Sequence, residues 1–346
     1  MPERLRVGVV GLGGNGRAFA ELYARHPKAI LAAVCDLNPE RVRQVAEALA
    51  VPGRFTDDAI YAADLDLISI HTPDPLHVAP FIKALQGGKH VFVEKPMGNT
   101  RADLDAMTAA AAAHPHLKVM VGQILRFNPF FARLKEMAAA GDLGEIFFME
   151  ADYIHDLHVQ ADPERFNPHL GMNWYLEQEI PLVGGGVHPF DLLRWYAGCN
   201  AVEVEGFANR FAFPEMKNPD CQVALFRFEN GAIAKVAAAY GPVGPMPPFY
   251  GMRIYGTKGT VMNGRVCLGH GHEYTEQDLT GLGVAGHPYD PEVDHVLTCI
   301  LEDRPTLVDA FEGANSTIAV IVGAEAATQG VKLPVPQYRR PGEGVR

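Results

Sequence analysis

The sequence predicts an α/β protein of two domains. An N-terminal parallel sheet covered by helices is followed by an α+β domain with a large, mostly antiparallel, open-faced sheet. Three observations predict this. Short apolar runs alternate with helical segments over residues 1–123, and a glycine-rich turn follows the first run. From Gly144 onward, strand-like runs crowd together with few helices between them. A chain of 346 residues suits two domains, expected at 1–123 and 124–346. The C-terminal helices are free to pack on either.

Leu5 to Val10 is nearly continuous apolar sequence, as a strand buried on both faces requires. A helix over 16–26 follows, with Ala18, Phe19, Leu22 and Tyr23 on one face. Ile30 to Cys35 is the second strand, and Pro39 suits the first turn of the next helix. Leu65 to Ile70 and His90 to Val93 repeat the pattern, each before a helix (76–86 and 101–113), and Lys118 to Val121 ends the series. Past a helix at 128–140, strands are expected at 145–155, 201–211, 221–228, 232–240, 250–256 and 260–268. Asn230-Gly231 signals a hairpin turn. Helices are expected near 186–197, 291–302 and 309–329.

Composition narrows the function classes. The hydrophobic share of 48% and charged share of 21% describe a globular protein rather than a disordered one. A net charge of −11 argues against nucleic-acid binding, which needs a basic surface. No apolar stretch approaches the ~20 residues that cross a bilayer, so no membrane partner is expected. Five scattered cysteines without C-x-x-C point to free thiols and a cytoplasmic setting. Ala18-Phe19-Ala20 imitates a leader cleavage site, but Asn15 and Arg17 interrupt the apolar stretch before it. The pairs His155/His158 and His270/His272, the second expected on one face of a strand, lack a third ligand, so no metal is expected.

Gly11-Leu12-Gly13-Gly14-Asn15-Gly16 fits G-x-G-x-x-G between a strand and a helix. The first glycine turns the chain, the second lets a pyrophosphate approach the backbone, and the third brings helix and strand together. Asp36 ends the second strand, where a carboxylate accepts ribose hydroxyls and repels a 2′-phosphate, so NAD is expected in preference to NADP. Glu94-Lys95-Pro96 follows directly on a strand, at the sheet end where ligands bind. Lys95 reads equally as an acid/base lysine with a lowered pKa or as an exposed turn residue. His188 and Asp191 share one face of a helix start, and Trp174 is the better of the two tryptophans for stacking on a sugar.

With these motifs the chain resembles the glucose-fructose oxidoreductase / inositol dehydrogenase / rhizopine-catabolism family. The resemblance rests on the glycine turn, on Thr72-Pro73-Asp74-Pro75-Leu76-His77, on Gly88-Lys89-His90-Val91-Phe92-Val93-Glu94-Lys95-Pro96, and on Gly186-Val187-His188 to Asp191. Arg126-Phe127-Asn128-Pro129 and Gly256-Thr257-Lys258-Gly259-Thr260 add to it. It implies that Lys95 contacts both nicotinamide ribose and substrate. Thr72, Pro73 and His77 would line the nicotinamide, with Glu94 and Gln123 close by. His188 would be the second acid/base group, and Asp191 and Arg126 substrate ligands. The reaction implied is hydride exchange between nicotinamide and a carbon of a sugar, cyclitol or related polyol.

One departure stands out. Where the resemblance implies an aspartate, four residues before His188, this chain has Gly184. His155 or Asp156, where the chain leaves the first strand of the second domain, is expected either to supply the missing polar group or to belong to a surface His/Asp cluster. Two rival readings follow from the departure: glycoside cleavage or elimination through a transient redox step on tightly held NAD, and a sugar/NAD sensor without turnover. The open sheet face is expected to be covered by a second copy, giving a homodimer or homotetramer.

Overall fold

The computed structural model describes residues 3–162, 164, 172–244, 251–284 and 286–343. The chain first forms β1 (Leu5–Val10), α1 (Gly14–Arg25), β2 (Ala29–Cys35), α2 (Pro39–Ala48) and β3 (Gly53–Phe55). It continues through β4 (Leu67–Ile70), α3 (Val78–Gln86), β5 (His90–Glu94), α4 (Arg101–Ala113) and β6 (Val119–Gly122). The six strands are parallel in the order β3-β2-β1-β4-β5-β6. Val7, Val9, Ile68, Ile70, Val91 and Val93 are fully buried, which is why these strands read as unbroken apolar runs. The strand order reverses between β1 and β4, and in such sheets the crevice beyond the carboxyl ends at that reversal receives ligands.

The chain then runs through α5 (Pro129–Ala140), β7 (Ile146–Ile154), α6 (Trp174–Glu177), α7 (Pro181–Gly184) and α8 (Val187–Ala197). Seven strands follow: β8 (Ala201–Asn209), β9 (Cys221–Phe228), β10 (Ile233–Ala239), β11 (Arg253–Gly256), β12 (Gly259–Met262), β13 (Arg265–His270) and β14 (Glu273–Asp278). Helices α9 (Tyr289–Leu301) and α10 (Ala310–Gln329) and the short β15 (Leu333–Pro334) complete the chain. The second sheet has the order β14-β13-β12-β11-β7-β10-β9-β8-β15. Every adjacent pair is antiparallel except β7 with β10. Those two are brought side by side in the same direction because helices α6 to α8 and strands β8 and β9 lie between them in sequence.

Two differences from the sequence reading have local causes. The single strand expected over 260–268 is a hairpin, β12–β13, turned at Asn263-Gly264 with φ of +47° and +96°. That is the same Asn-Gly signal read at 230–231. His270 ends β13 and Gly271 turns the chain, so His270 and His272 do not share a strand face.

The chain divides into two compact units. One comprises Met1–Ile124, Pro288–Ala314 and Tyr338–Arg346; the other comprises Leu125–His287 and Asn315–Gln337. Helix α9 therefore belongs with the parallel sheet. Lys28 Nζ lies 2.7 Å from Asp294 and Arg25 2.6 Å from Asp290, while the Val121 N–H donates to the Val308 carbonyl. In the second unit the outward sheet face is mixed. Phe207, Leu225, Ile233 and Met262 are exposed on it, but Glu150 at its centre is paired with both Lys235 and Arg253. Among the described residues no helix is long and apolar enough to cross a membrane.

Candidate active site

In the first unit the glycine turn has the geometry its sequence implies. Gly11 has φ +87°, and a Cβ there would lie 2.6 Å from the His71 carbonyl. A Cβ on Gly16 would come within 1.7 Å of the Gly11 oxygen, so the start of α1 packs directly on the end of β1. A Cβ built on Gly13, the residue that caps α1, would meet nothing within 4 Å beyond its chain neighbours. The helix N-terminus thus opens onto space that an anionic pyrophosphate fits, as backbone N–H groups and the helix dipole favour. Leu12 is buried and acts through its N–H, which donates to Asp36 Oδ2 at 2.7 Å. Asp36 Oδ1 accepts the Asn38 N–H, and Arg41 lies 3.7 Å away. Each carboxylate oxygen keeps a second lone pair for a ribose hydroxyl. Tyr289 reaches Asn15 Oδ1 at 3.5 Å. Gln123 is 1% exposed, and its Nε2 has no hydrogen-bond partner among the described residues. A buried amide donor of this kind fits a bound group at the carboxyl end of β6.

Half-buried Lys95 follows β5, and its peptide bond to Pro96 is cis. Glu94 beside it closes a chain of polar side chains. Tyr23 Oη lies 3.1 Å from Ser69 Oγ, which lies 2.7 Å from His71 Nε2, and His71 Nδ1 is 3.2 Å from Glu94 Oε1. Burial alone would raise the Glu94 carboxyl. The His71 hydrogen bond and the nearby positive charges hold it below its usual range instead. Burial pushes Asp74 up to about 6, against the pull of Lys95. Thr72 and Pro73 are half-buried, and Thr72 Oγ1 donates to the Leu76 carbonyl. His77 is a correction to the expected nicotinamide contact. It is fully buried, with its two ring nitrogens 3.0 Å from the Pro96 and Thr72 carbonyls, so it ties the two loops together from behind.

In the second unit, His188 lies in the first turn of α8, buried. Its ring stacks on Tyr153 (centroids 6.1 Å, 19°) and is tilted against His287 at 6.0 Å. His155 stacks on the other end of this group, 5.7 Å from Tyr153, and burial pushes its imidazole down. Trp174 is half-buried and donates from Nε1 to Glu179 Oε2 at 2.8 Å.

Three expected ligands are otherwise engaged. Arg126 and Asp191 are bound to each other in the interior, Nε to Oδ2 at 2.7 Å and Nη2 to Oδ1 at 2.8 Å. Ser316 donates to Asp191, and the guanidinium sits 5.2 Å over the Trp195 ring. Both side chains are about 2% exposed, which corrects the expectation that they contact substrate: the pair clasps α8 to the segment preceding α5. Asp156 is exposed and accepts the His158 N–H, with His158 Nδ1 at 2.5 Å.

Sequence reading missed four groups. His71 directly follows β4, a position that could have flagged it. Glu292, 1% exposed on α9, is reached only through tertiary packing. His287 and Glu179 sit on irregular or short segments with no motif of their own. Nearby, a cavity of 460 Å³ is lined by apolar side chains including Leu125, Phe130 and Met252, with Asn128, Asn263 and His287 as its polar members.

Comparison with known proteins agrees with this architecture. The model of the oxidoreductase family with an NAD-binding Rossmann fold matches residues 5–123, and that of the GFO/IDH/MocA C-terminal domain matches 131–262. An inositol 2-dehydrogenase of Rubrobacter xylanophilus is 31% identical over 75% of this chain and 71% of its own. The NAD-dependent scyllo-inositol 2-dehydrogenase of Bacillus subtilis is 26% identical over 97% of this chain and 96% of its own. The solved structure of a levoglucosan dehydrogenase with NADH superimposes with a TM-score of 0.82 at 21% identity, covering 97% of this chain and all of that one. The glycine turn, the sheet order and these matches together make the chain an NAD-binding oxidoreductase of the Gfo/Idh/MocA family.

Proposed function

We propose that the protein oxidises a carbinol carbon of a cyclitol, sugar or related polyol, with Lys95 and His188 as its acid/base groups. The observation that carries this reading is Lys95 itself, held half-buried at the carboxyl end of β5, in the sheet whose strand reversal accompanies an open glycine turn. NAD, when bound, supplies the hydride acceptor. The chain's own residues do the rest. The N–H groups at the start of α1 hold the pyrophosphate, Asp36 the adenosine ribose, and Gln123 Nε2 a polar group of the cofactor. Lys95 Nζ takes the substrate hydroxyl proton as the hydride departs, which leaves a carbonyl. His188, the second acid/base group, orients the hydroxyl toward Lys95, and Trp174 presents an aromatic face of the kind sugar rings stack on. The same groups run the reduction in reverse.

Relatives named as inositol dehydrogenases make the inositols, scyllo-inositol among them, the first substrates to try. The test is NADH absorbance with NAD or NADP and a panel of cyclitols, sugars and polyols. NADH formation with one structural class supports the reading. Silence across the panel from protein that binds NAD sinks it, and favours glycoside cleavage or sensing. The free cysteines fit a reducing, cytoplasmic setting. We also infer a homodimer or homotetramer through the outward sheet face.

A further inference from the structure

Gly184 ends α7 in ordinary right-handed backbone, so conformational freedom does not explain the glycine. Space does. A Cβ built there would lie 2.0 Å from Glu179 Oε1, 2.7 Å from its Cδ and 2.9 Å from Oε2. The volume that any side chain at 184 would enter is already filled by the Glu179 carboxylate. Gly185 is a second seat of the same kind, for the Tyr153 ring, which a Cβ would meet at 2.3 Å.

Glu179 is 5% exposed and firmly placed. Tyr240 Oη donates to Oε1 at 2.5 Å and Trp174 Nε1 to Oε2 at 2.8 Å. Asn218 Nδ2 donates to the Glu179 carbonyl, fixing its backbone. Tyr240 stands edge-on to Tyr153, with centroids 6.2 Å apart, and Tyr153 stacks on His188. Carboxylate, Tyr240, Tyr153 and His188 are therefore contiguous, and the same carboxylate aims Trp174. A buried carboxylate is costly unless its bonds are made, and here they are made to Trp174 and to Tyr240, which reaches His188 through the Tyr153 ring.

We propose that Glu179 is the positioning carboxylate of the His188 pocket, standing in the volume that a side chain at 184 would take. Only one of the two positions can carry a carboxylate. The assignment rests on the polyol-oxidation reading, but its test separates the two.

The test is a relocation series: Glu179→Gln, Glu179→Ala, Gly184→Asp, and the double variant Glu179→Ala/Gly184→Asp. Their kcat and KM are measured with the polyol found in the panel, and NADH binding serves as the control for folding. Loss of positioning is expected to lower kcat about 100-fold in Glu179→Ala and less in Glu179→Gln, with NADH affinity unchanged. Gly184→Asp alone is expected to be as damaging, because two carboxylates then compete for one volume. The double variant is expected to regain about tenfold over Glu179→Ala. Native kcat in Glu179→Gln, or a double variant no better than Glu179→Ala, overturns the proposal.

If no polyol is oxidised by the native protein, the functional reading fails and a second measurement decides this one. In a Trp195→Phe background, acrylamide quenching of Trp174 fluorescence is expected to rise in Glu179→Ala and fall back in the double variant. No recovery there also overturns it.

Discussion

Lys95 and its neighbours show how unlike roles are packed into a few adjacent positions. Lys95 stands at the sheet end, Glu94 is paired with His71, and His77 is spent on two backbone carbonyls. Replacing Lys95 with Ala is expected to lower kcat by about 10²–10⁴-fold while NAD still binds, as kcat and NADH titration together would show. Asp191→Ala is a different kind of loss. It removes the buried carboxylate that pairs with the Arg126 guanidinium, so a destabilisation of about 3–5 kcal/mol is expected in urea unfolding. Glu292 gives a pH signature. Burial, aided by the Glu94 charge, pushes its carboxyl well above its ordinary 4.5. A group raised in the folded state contributes stability that is whole below its unfolded value and lost as pH rises through its folded one. Glu292→Gln is therefore expected to gain on the native protein in melting temperature as pH rises, with no gain below about 4.5. The turn glycines, Asp36 and Lys95 were legible because strand ends and helix starts fix where such residues go. The engagement of Arg126 with Asp191, and of Glu179 with Gly184, was not, since each joins segments that only the fold brings together.

Among the elements, the glycine turn separates two functions that a motif lumps together. Gly16 is constrained by the protein's own backbone, whereas Gly13 faces open space. Gly16→Ala is expected to lower both melting temperature and NAD affinity. Gly13→Ala is expected to leave the melting temperature alone and weaken NAD binding by about tenfold or more, read by calorimetric titration. Equal melting losses in both would refute the distinction. The parallel half of the fold was readable almost strand for strand, because burial on both faces writes continuous apolar runs. In the second sheet, alternating patterns gave strand positions but not partners. The β7–β10 pairing is set by what lies between them in sequence, and the β12–β13 hairpin turns on an Asn-Gly pair inside one apolar run.

For the whole molecule, the nine-stranded sheet presents Phe207, Leu225, Ile233 and Met262 around the charged centre of Glu150, Lys235 and Arg253. Apolar groups around satisfied ion pairs suit a self-complementary face. Light scattering at micromolar protein is expected to give a dimer or tetramer, and Leu225→Glu to reduce its size; a monomeric native protein would contradict the inference. Polyol oxidation by the whole chain comes down to where one hydride goes. With the polyol identified in the panel, deuterated at its carbinol carbons, the NADH produced is expected to carry deuterium at the nicotinamide C4, and the Lys95→Ala variant to produce almost none. NADH without deuterium, or no NADH from any polyol, would contradict it.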